Sequence, residues 1–146
     1  MATFTFIEDN GHGWLKVPIK LLKELNIADS VSSYSYIYKE HAFLEEDSDY
    51  TVFDKAMKQA GKDYSVKTRR VTRAAIRDYR CYNPAALDKI PKGVPGESIT
   101  INGVSYTITA NLGRSGFEVI LAGNKDSWQG LKYRISSNQL NFADRI

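Results

Sequence analysis

Asn83-Pro84-Ala85-Ala86-Leu87-Asp88-Lys89-Ile90-Pro91-Lys92-Gly93-Val94-Pro95-Gly96-Glu97 divides this chain. The stretch holds Pro84, Pro91 and Pro95, with Gly93 and Gly96 among them. Proline lacks a backbone N–H and fixes φ, and glycine breaks regular elements, so neither a helix nor a central strand runs through it. Residues 83–97 are therefore expected to link an N-terminal part, 1–82, to a C-terminal part, 98–146.

Hydrophobic periodicity differs on the two sides. C-terminal to the linker the pattern is short strands. Ser98–Ile101 and Val104–Ile108 flank Asn102-Gly103, the dipeptide that favours a type I′ hairpin turn. Residues 117–121 and 131–135 add two more strands, and Ser136-Ser137-Asn138 suits the cap of a last short turn. This spacing predicts a small barrel of SH3 or KOW type, or alternatively an antiparallel sheet that packs onto the first half.

On the N-terminal side helical and strand patterns alternate. Residues 2–7 read as a strand with Phe4 and Phe6 on one face. Asp9-Asn10-Gly11 is turn chemistry, and Gly13 follows, placing His12 and Trp14 on a bent loop with Trp14 anchoring the next helix. That helix opens at Pro18 and carries Ile19, Leu22 and Leu25 on one stripe. Residues 33–44 alternate as a hairpin around Lys39-Glu40. A second helix follows Asp47-Ser48-Asp49 and ends at Gly61. Residues 64–72 read as a strand. The fold class expected is α+β: two short helices on a small antiparallel sheet, then the β-rich part.

With 146 residues, 42% hydrophobic and 25% charged, the chain has the composition of a folded domain with a real core. Cys81 is the single cysteine, which excludes an internal disulfide and any multi-cysteine zinc site. The start of the chain lacks the basic and apolar segments of a signal peptide, and no apolar run reaches the roughly 20 residues of a membrane span. The expectation is a cytoplasmic protein with no membrane partner. No phosphate-loop or dinucleotide motif occurs, and the sequence implies no cofactor.

Charge is the main functional signal. Six carboxylates and no Lys or Arg lie between Glu40 and Asp54, whereas residues 62–82 hold seven Lys or Arg against Asp63 and Asp78. By strand alternation Lys67, Arg69 and Arg73 project to one side, and Tyr64, Val66 and Arg70 to the other. A helical turn from Arg73 would put Arg73, Arg77 and Arg80 on one face. Guanidinium forks pair well with phosphate, and Tyr64, Tyr79 and Tyr82 are interleaved for stacking on bases. The competing expectation is that the acidic run covers the basic one inside the fold.

Other candidates are less specific. The carboxylate run offers oxygen ligands but lacks EF-hand spacing, and suits helix capping better. His12 between two glycines is a candidate binding residue, because glycine lets a ligand approach the backbone closely. No nucleophile is placed beside it by spacing, so no catalytic residue is assigned. In the C-terminal part, Arg114 and Trp128 sit in glycine-bearing loops suited to contacting a partner.

Phe6-Ile7-Glu8-Asp9-Asn10-Gly11-His12-Gly13-Trp14-Leu15-Lys16-Val17-Pro18, with Tyr34-Ser35-Tyr36 and Leu44-Glu45-Glu46-Asp47-Ser48-Asp49, resembles a group of small uncharacterised proteins of bacteriophages and other mobile elements. The resemblance covers about the first eighty residues and brings no site residues with it. It implies an accessory role in a bacterial cytoplasm. The function expected is non-enzymatic: binding and occluding a host macromolecule, a defence component being one candidate, through Lys67, Arg69, Arg70, Arg73 and Arg77. The alternative is a nucleic-acid-binding accessory protein using the same segment.

Overall fold

The computed structural model describes residues 1–122 and 132–146. It is an α+β protein with two sheets and few helices. The chain forms two compact units, Met1–Ala85 and Ala86–Ile146. Among the described residues no helix is long and apolar enough to cross a membrane.

In the first unit the strands are β1 (Ala2–Glu8), β2 (Gly13–Pro18), β3 (Tyr36–Tyr38), β4 (His41–Glu45), β5 (Tyr64–Arg70) and β6 (Arg80–Cys81). The sheet order is β5-β1-β2-β4-β3-β6. Two helices belong to this unit, α1 (Ile19–Glu24) and α2 (Asp49–Gln59). Asn26, with φ of 56°, closes α1 in the left-handed conformation that asparagine tolerates.

Three sequence expectations are corrected here. The sheet is mixed, because β5 pairs parallel to β1 from Ala2↔Tyr64 to Glu8↔Arg70. Gly13–Pro18 is a strand, not a loop; it forms a hairpin with β1 and also pairs with β4. Trp14 consequently joins Ile7, Phe43, Ala74 and Ile76 on a sheet face, and does not anchor α1. Beyond Arg73 only a short 3-10 turn forms, Ala75–Asp78, followed by β6, so Arg73, Arg77 and Arg80 share no helix face.

Both faces of this sheet are covered. Leu15, Val17, Ile37, Ala42 and Leu44 are fully buried on one of them. There α2 packs through Phe53 edge-on to Phe4 at 5.4 Å and Tyr50 near Phe6 at 6.2 Å. Residues 71–79 cover the opposite face, where Val71, Ala74, Ile76 and Tyr79 pack with Ile7, Trp14 and Phe43. A strand buried on both faces shows little clean alternation, which explains why β2 reads poorly from sequence.

The second unit contains β7 (Ser98–Ile101), β8 (Val104–Asn111), β9 (Phe117–Leu121), β10 (Lys132–Ile135), α3 (Ser137–Asn141) and β11 (Asp144–Arg145). Its order is β10-β9-β8-β7-β11, antiparallel throughout, with β10 and β11 as edges. Among the described residues the outcome is thus an open sheet and no closed barrel. Asn102 and Gly103 have φ of 50° and 79°, as a type I′ turn requires. Ser136 and Gln139 form a reciprocal capping box at the start of α3. Ile99, Ile108, Phe117, Val119, Ile135, Leu140 and Ala143 make the core.

Candidate nucleic-acid interface

Cross-strand partners in a sheet project to the same face, so the register of the first unit fixes which charges meet. Lys67, Thr5, Lys16, Phe43 and Tyr36 lie side by side across β5, β1, β2, β4 and β3. The next row on that face is Arg69, Ile7, Trp14 and Glu45, and on the other side lie Pro18, His41 and Tyr38. Lys67, Arg69 and Lys16 therefore supply the cations of this face from β5 and β2, and Tyr36, Tyr38 and Phe43 its rings from β3 and β4, with Trp14 of β2 beside Ile7.

Over this face the segment 71–79 leaves two openings. The larger, about 550 Å³, is lined by Lys16, Lys39, His41, Arg69 and Arg73 around a wall of Tyr38, Phe43 and Tyr79. No Asp or Glu lines it. Tyr38 stacks on Tyr79 at 4.4 Å and 16°, Phe43 packs against Tyr79 at 5.3 Å, and Lys39 Nζ sits 5.4 Å above the Tyr38 ring. Partial burial and the neighbouring Lys16 both push the His41 imidazole below its ordinary value of 6.5, so it is neutral at pH 7.

Cations of the basic segment differ in their partners. Arg70 Nε donates to Glu8 at 3.1 Å. Arg73 donates both guanidinium ends to Asp78 at 2.7 and 2.8 Å. Arg77 forks onto Asp9 with two bonds of 2.7 Å, and its guanidinium lies 5.3 Å from the Trp14 ring centroid. Lys67 and Arg69, by contrast, have no carboxylate in ion-pair range among the described residues.

Arg70, Arg73 and Arg77 are thus neutralised inside the fold by Glu8, Asp78 and Asp9, none of which belongs to the acidic run. That run is used locally. Asp49 is buried and accepts from Ser32 N and Oγ and from Ser35 Oγ at 2.5–3.0 Å. Asp54 accepts from Lys58 Nζ at 2.7 Å and Tyr64 Oη at 2.6 Å. Ser48 makes no side-chain cap bond at α2; the Glu45 carboxylate accepts from the Asp47 and Ser48 amides at 3.0 and 3.1 Å instead.

Asp9 organises the rim. Its side chain is 2% exposed, and it accepts from the amides of Gly11, His12 and Ala74 as well as from Arg77. The Arg77 guanidinium, seconded by the Ala74 amide, holds its carboxyl far below the usual 3.8. This one residue ties the β1–β2 turn to the segment that covers the face.

Of the residues expected to bind, Arg69 and Arg73 line the basic cleft, Arg73 with its guanidinium on Asp78, Lys67 lies on the same face beside it, and Arg70 and Arg77 are likewise held by carboxylates. His12 lines the second opening. Arg114 is exposed in the 3-10 turn Gly113–Ser115 of the other unit, and Trp128 lies outside the described residues. Sequence reasoning missed Lys16, Lys39, His41, Tyr38 and Phe43 as companions of Arg69. The available signal was the pairing of β2 with β1 and β4, which a recognised β2 would have supplied.

Comparison with protein-family models, curated proteins and solved structures gives no match.

Proposed function

We propose that the chain binds single-stranded nucleic acid by its phosphate backbone in the Lys16–Lys39–Arg69–Arg73 cleft, and acts by occupancy without turnover. The observation that carries this is a concave site lined by four Lys or Arg and no carboxylate, with Arg73 the member that also pairs with Asp78. Concavity favours a single strand, whose phosphodiester bends into a cleft that the stiff cylinder of a duplex spans without entering. Lys67 extends the positive surface along the sheet to the β5 edge. The resemblance to phage and mobile-element proteins makes a host macromolecule the partner class, and nucleic acid is the member of that class the cleft fits.

Fluorescence polarisation with labelled single- and double-stranded DNA and RNA, at low and moderate salt, tests this. Single strands should bind more tightly than duplexes, and affinity should fall steeply with salt. Arg69→Glu and Lys16→Glu should each weaken binding by about tenfold or more, while Arg70→Glu should change it less than about twofold. Equal losses at Arg69 and Arg70, or no binding at low salt, would sink the reading.

A different observation favours a protein partner. Val66–Arg70 is exposed on an edge strand, whose outer backbone groups can pair with an added strand. Lys67, Arg69 and Arg70 would select an acidic segment there. A complex captured from bacterial lysate that survives nuclease and is lost on Val66→Pro would support that reading over the first.

A further inference from the structure

The second opening on the sheet face has the opposite chemistry. It measures about 410 Å³ and is lined by His12, Trp14, Tyr34, Tyr36, Glu45, Asp47, Ser48 and Arg77. At its rim the His12 imidazole and the Glu45 and Glu46 carboxylates each bring a donor atom within 4.8 Å of the others. We propose that these three residues bind a divalent first-row transition ion, Zn²⁺ or Mn²⁺ in class. The inference goes beyond nucleic-acid binding and does not depend on it.

The backbone assembles this set in advance. Trp14 pairs with Glu45 across β2 and β4, and the Glu46 amide donates to the Gly13 carbonyl at 3.1 Å, fixing the His12 end of β2 to both glutamates. Gly13 is required at this point, since a Cβ there would run into the Phe6 ring and lie 3.0 Å from Glu46 Oε2. Glu45 Oε2 is oriented by the Asp47 and Ser48 amides and by Ser48 Oγ at 3.1 Å, which leaves Oε1 for an ion. Hydrogen bonds of this kind hold metal-ligating carboxylates in place.

The donor chemistry selects the ion. One imidazole nitrogen with two carboxylate oxygens suits a borderline transition ion better than Ca²⁺ or Mg²⁺, which prefer oxygen alone. Bonds of about 2.0–2.2 Å call for donors closer than 4.8 Å, an adjustment of about an ångström within rotamer reach of the exposed His12. Three protein ligands would leave the ion a coordination position for water or a further ligand.

Calorimetric titration of the full chain with Zn²⁺ and with Mn²⁺, without nucleic acid, tests the assignment. One ion per chain is expected. Kd should rise by at least about tenfold in His12→Ala and in Glu46→Gln, and stay unchanged in His41→Gln. Circular dichroism in metal-free buffer checks that each variant folds. An independent readout needs no variant: the Trp14 ring centroid lies 6.0 Å from that of His12, so Mn²⁺ should broaden the Trp14 indole proton signal. Absence of uptake, uptake unaffected by both variants, or loss on His41→Gln would overturn the site, as would an unbroadened Trp14 signal.

Discussion

The two clefts share one sheet face and one covering segment, yet they are opposite in charge. Residues 71–79 give Arg73, Ala75 and Tyr79 to the first and Arg77 to the second. The first is lined by Lys16, Lys39, Arg69 and Arg73 with no carboxylate in its wall, Arg73 alone being forked onto Asp78; the second has Glu45 and Asp47, and its one arginine, Arg77, is forked onto Asp9. What separates them is strand register. On β2, Lys16 faces the first cleft and Trp14 the second, two residues apart on the same side. Function on such a face depends on which charges find partners within the fold, and the density of charge along the chain is a poor guide to that.

The partition depends most on Asp9, which holds the 71–79 segment to the β1–β2 turn. Asp9→Ala removes the acceptor of five hydrogen bonds and leaves Arg77 without its partner. Both clefts should lose definition, with a fall in Tm on the order of 10 °C by thermal melt. A change under about 2 °C would mean that the apolar contacts of Ala74 and Ile76 hold the segment alone. The pH dependence has a definite sign. Since the folded carboxyl titrates far below 3.8, its contribution is fully present above that value and is lost progressively as pH falls below it.

Local signals in the chain are legible and distant ones are not. The Asn102-Gly103 hairpin, the 49–59 helix and the cap at Ser136 each depend on residues within a few positions, and pattern reading finds them. The partners of the basic segment lie far away: Glu8 is 62 residues from Arg70, and Asp9 is 68 from Arg77. They meet only because β5 runs parallel to β1, a pairing that leaves no short-range mark. β2 is hidden for a different reason. Glycines at 11 and 13 and Pro18 punctuate a run of apolar residues too short to declare its type. Without β2, neither Lys16 in the basic cleft nor the approach of His12 to Glu45 and Glu46 can be anticipated.

A smaller effect is expected from the stacked Tyr38–Tyr79 pair, which lines the basic cleft and not the other. Tyr38→Leu keeps bulk but ends the stacking on Tyr79 and the contact with Lys39. Such a pair contributes about 0.5–1.5 kcal/mol beyond its buried area, so urea unfolding should show a loss of that size. Metal uptake at His12, Glu45 and Glu46 should not respond. If it does, the two clefts are coupled through residues 71–79 and are not independent sites.

The smallest expected effect concerns His41, the only titratable group of the basic cleft that changes charge near neutrality. Around it stand Lys16, Lys39, Arg69 and Arg73 from β2, the β3–β4 turn, β5 and the covering segment, with Glu40 beside it in sequence. Burial and Lys16 favour the neutral ring, so its protonation is displaced to lower pH than that of an ordinary imidazole, and it adds a charge where an anion would lie. Bound phosphate favours the protonated ring, and by linkage affinity should rise as falling pH protonates it. A gain of about threefold is reasonable for one partly screened charge. His41→Gln should flatten the polarisation profile below pH 6.5 while leaving affinity at pH 8 in place. An unchanged slope in that variant would move the bound phosphate away from β4 and toward the Lys67 end of the face.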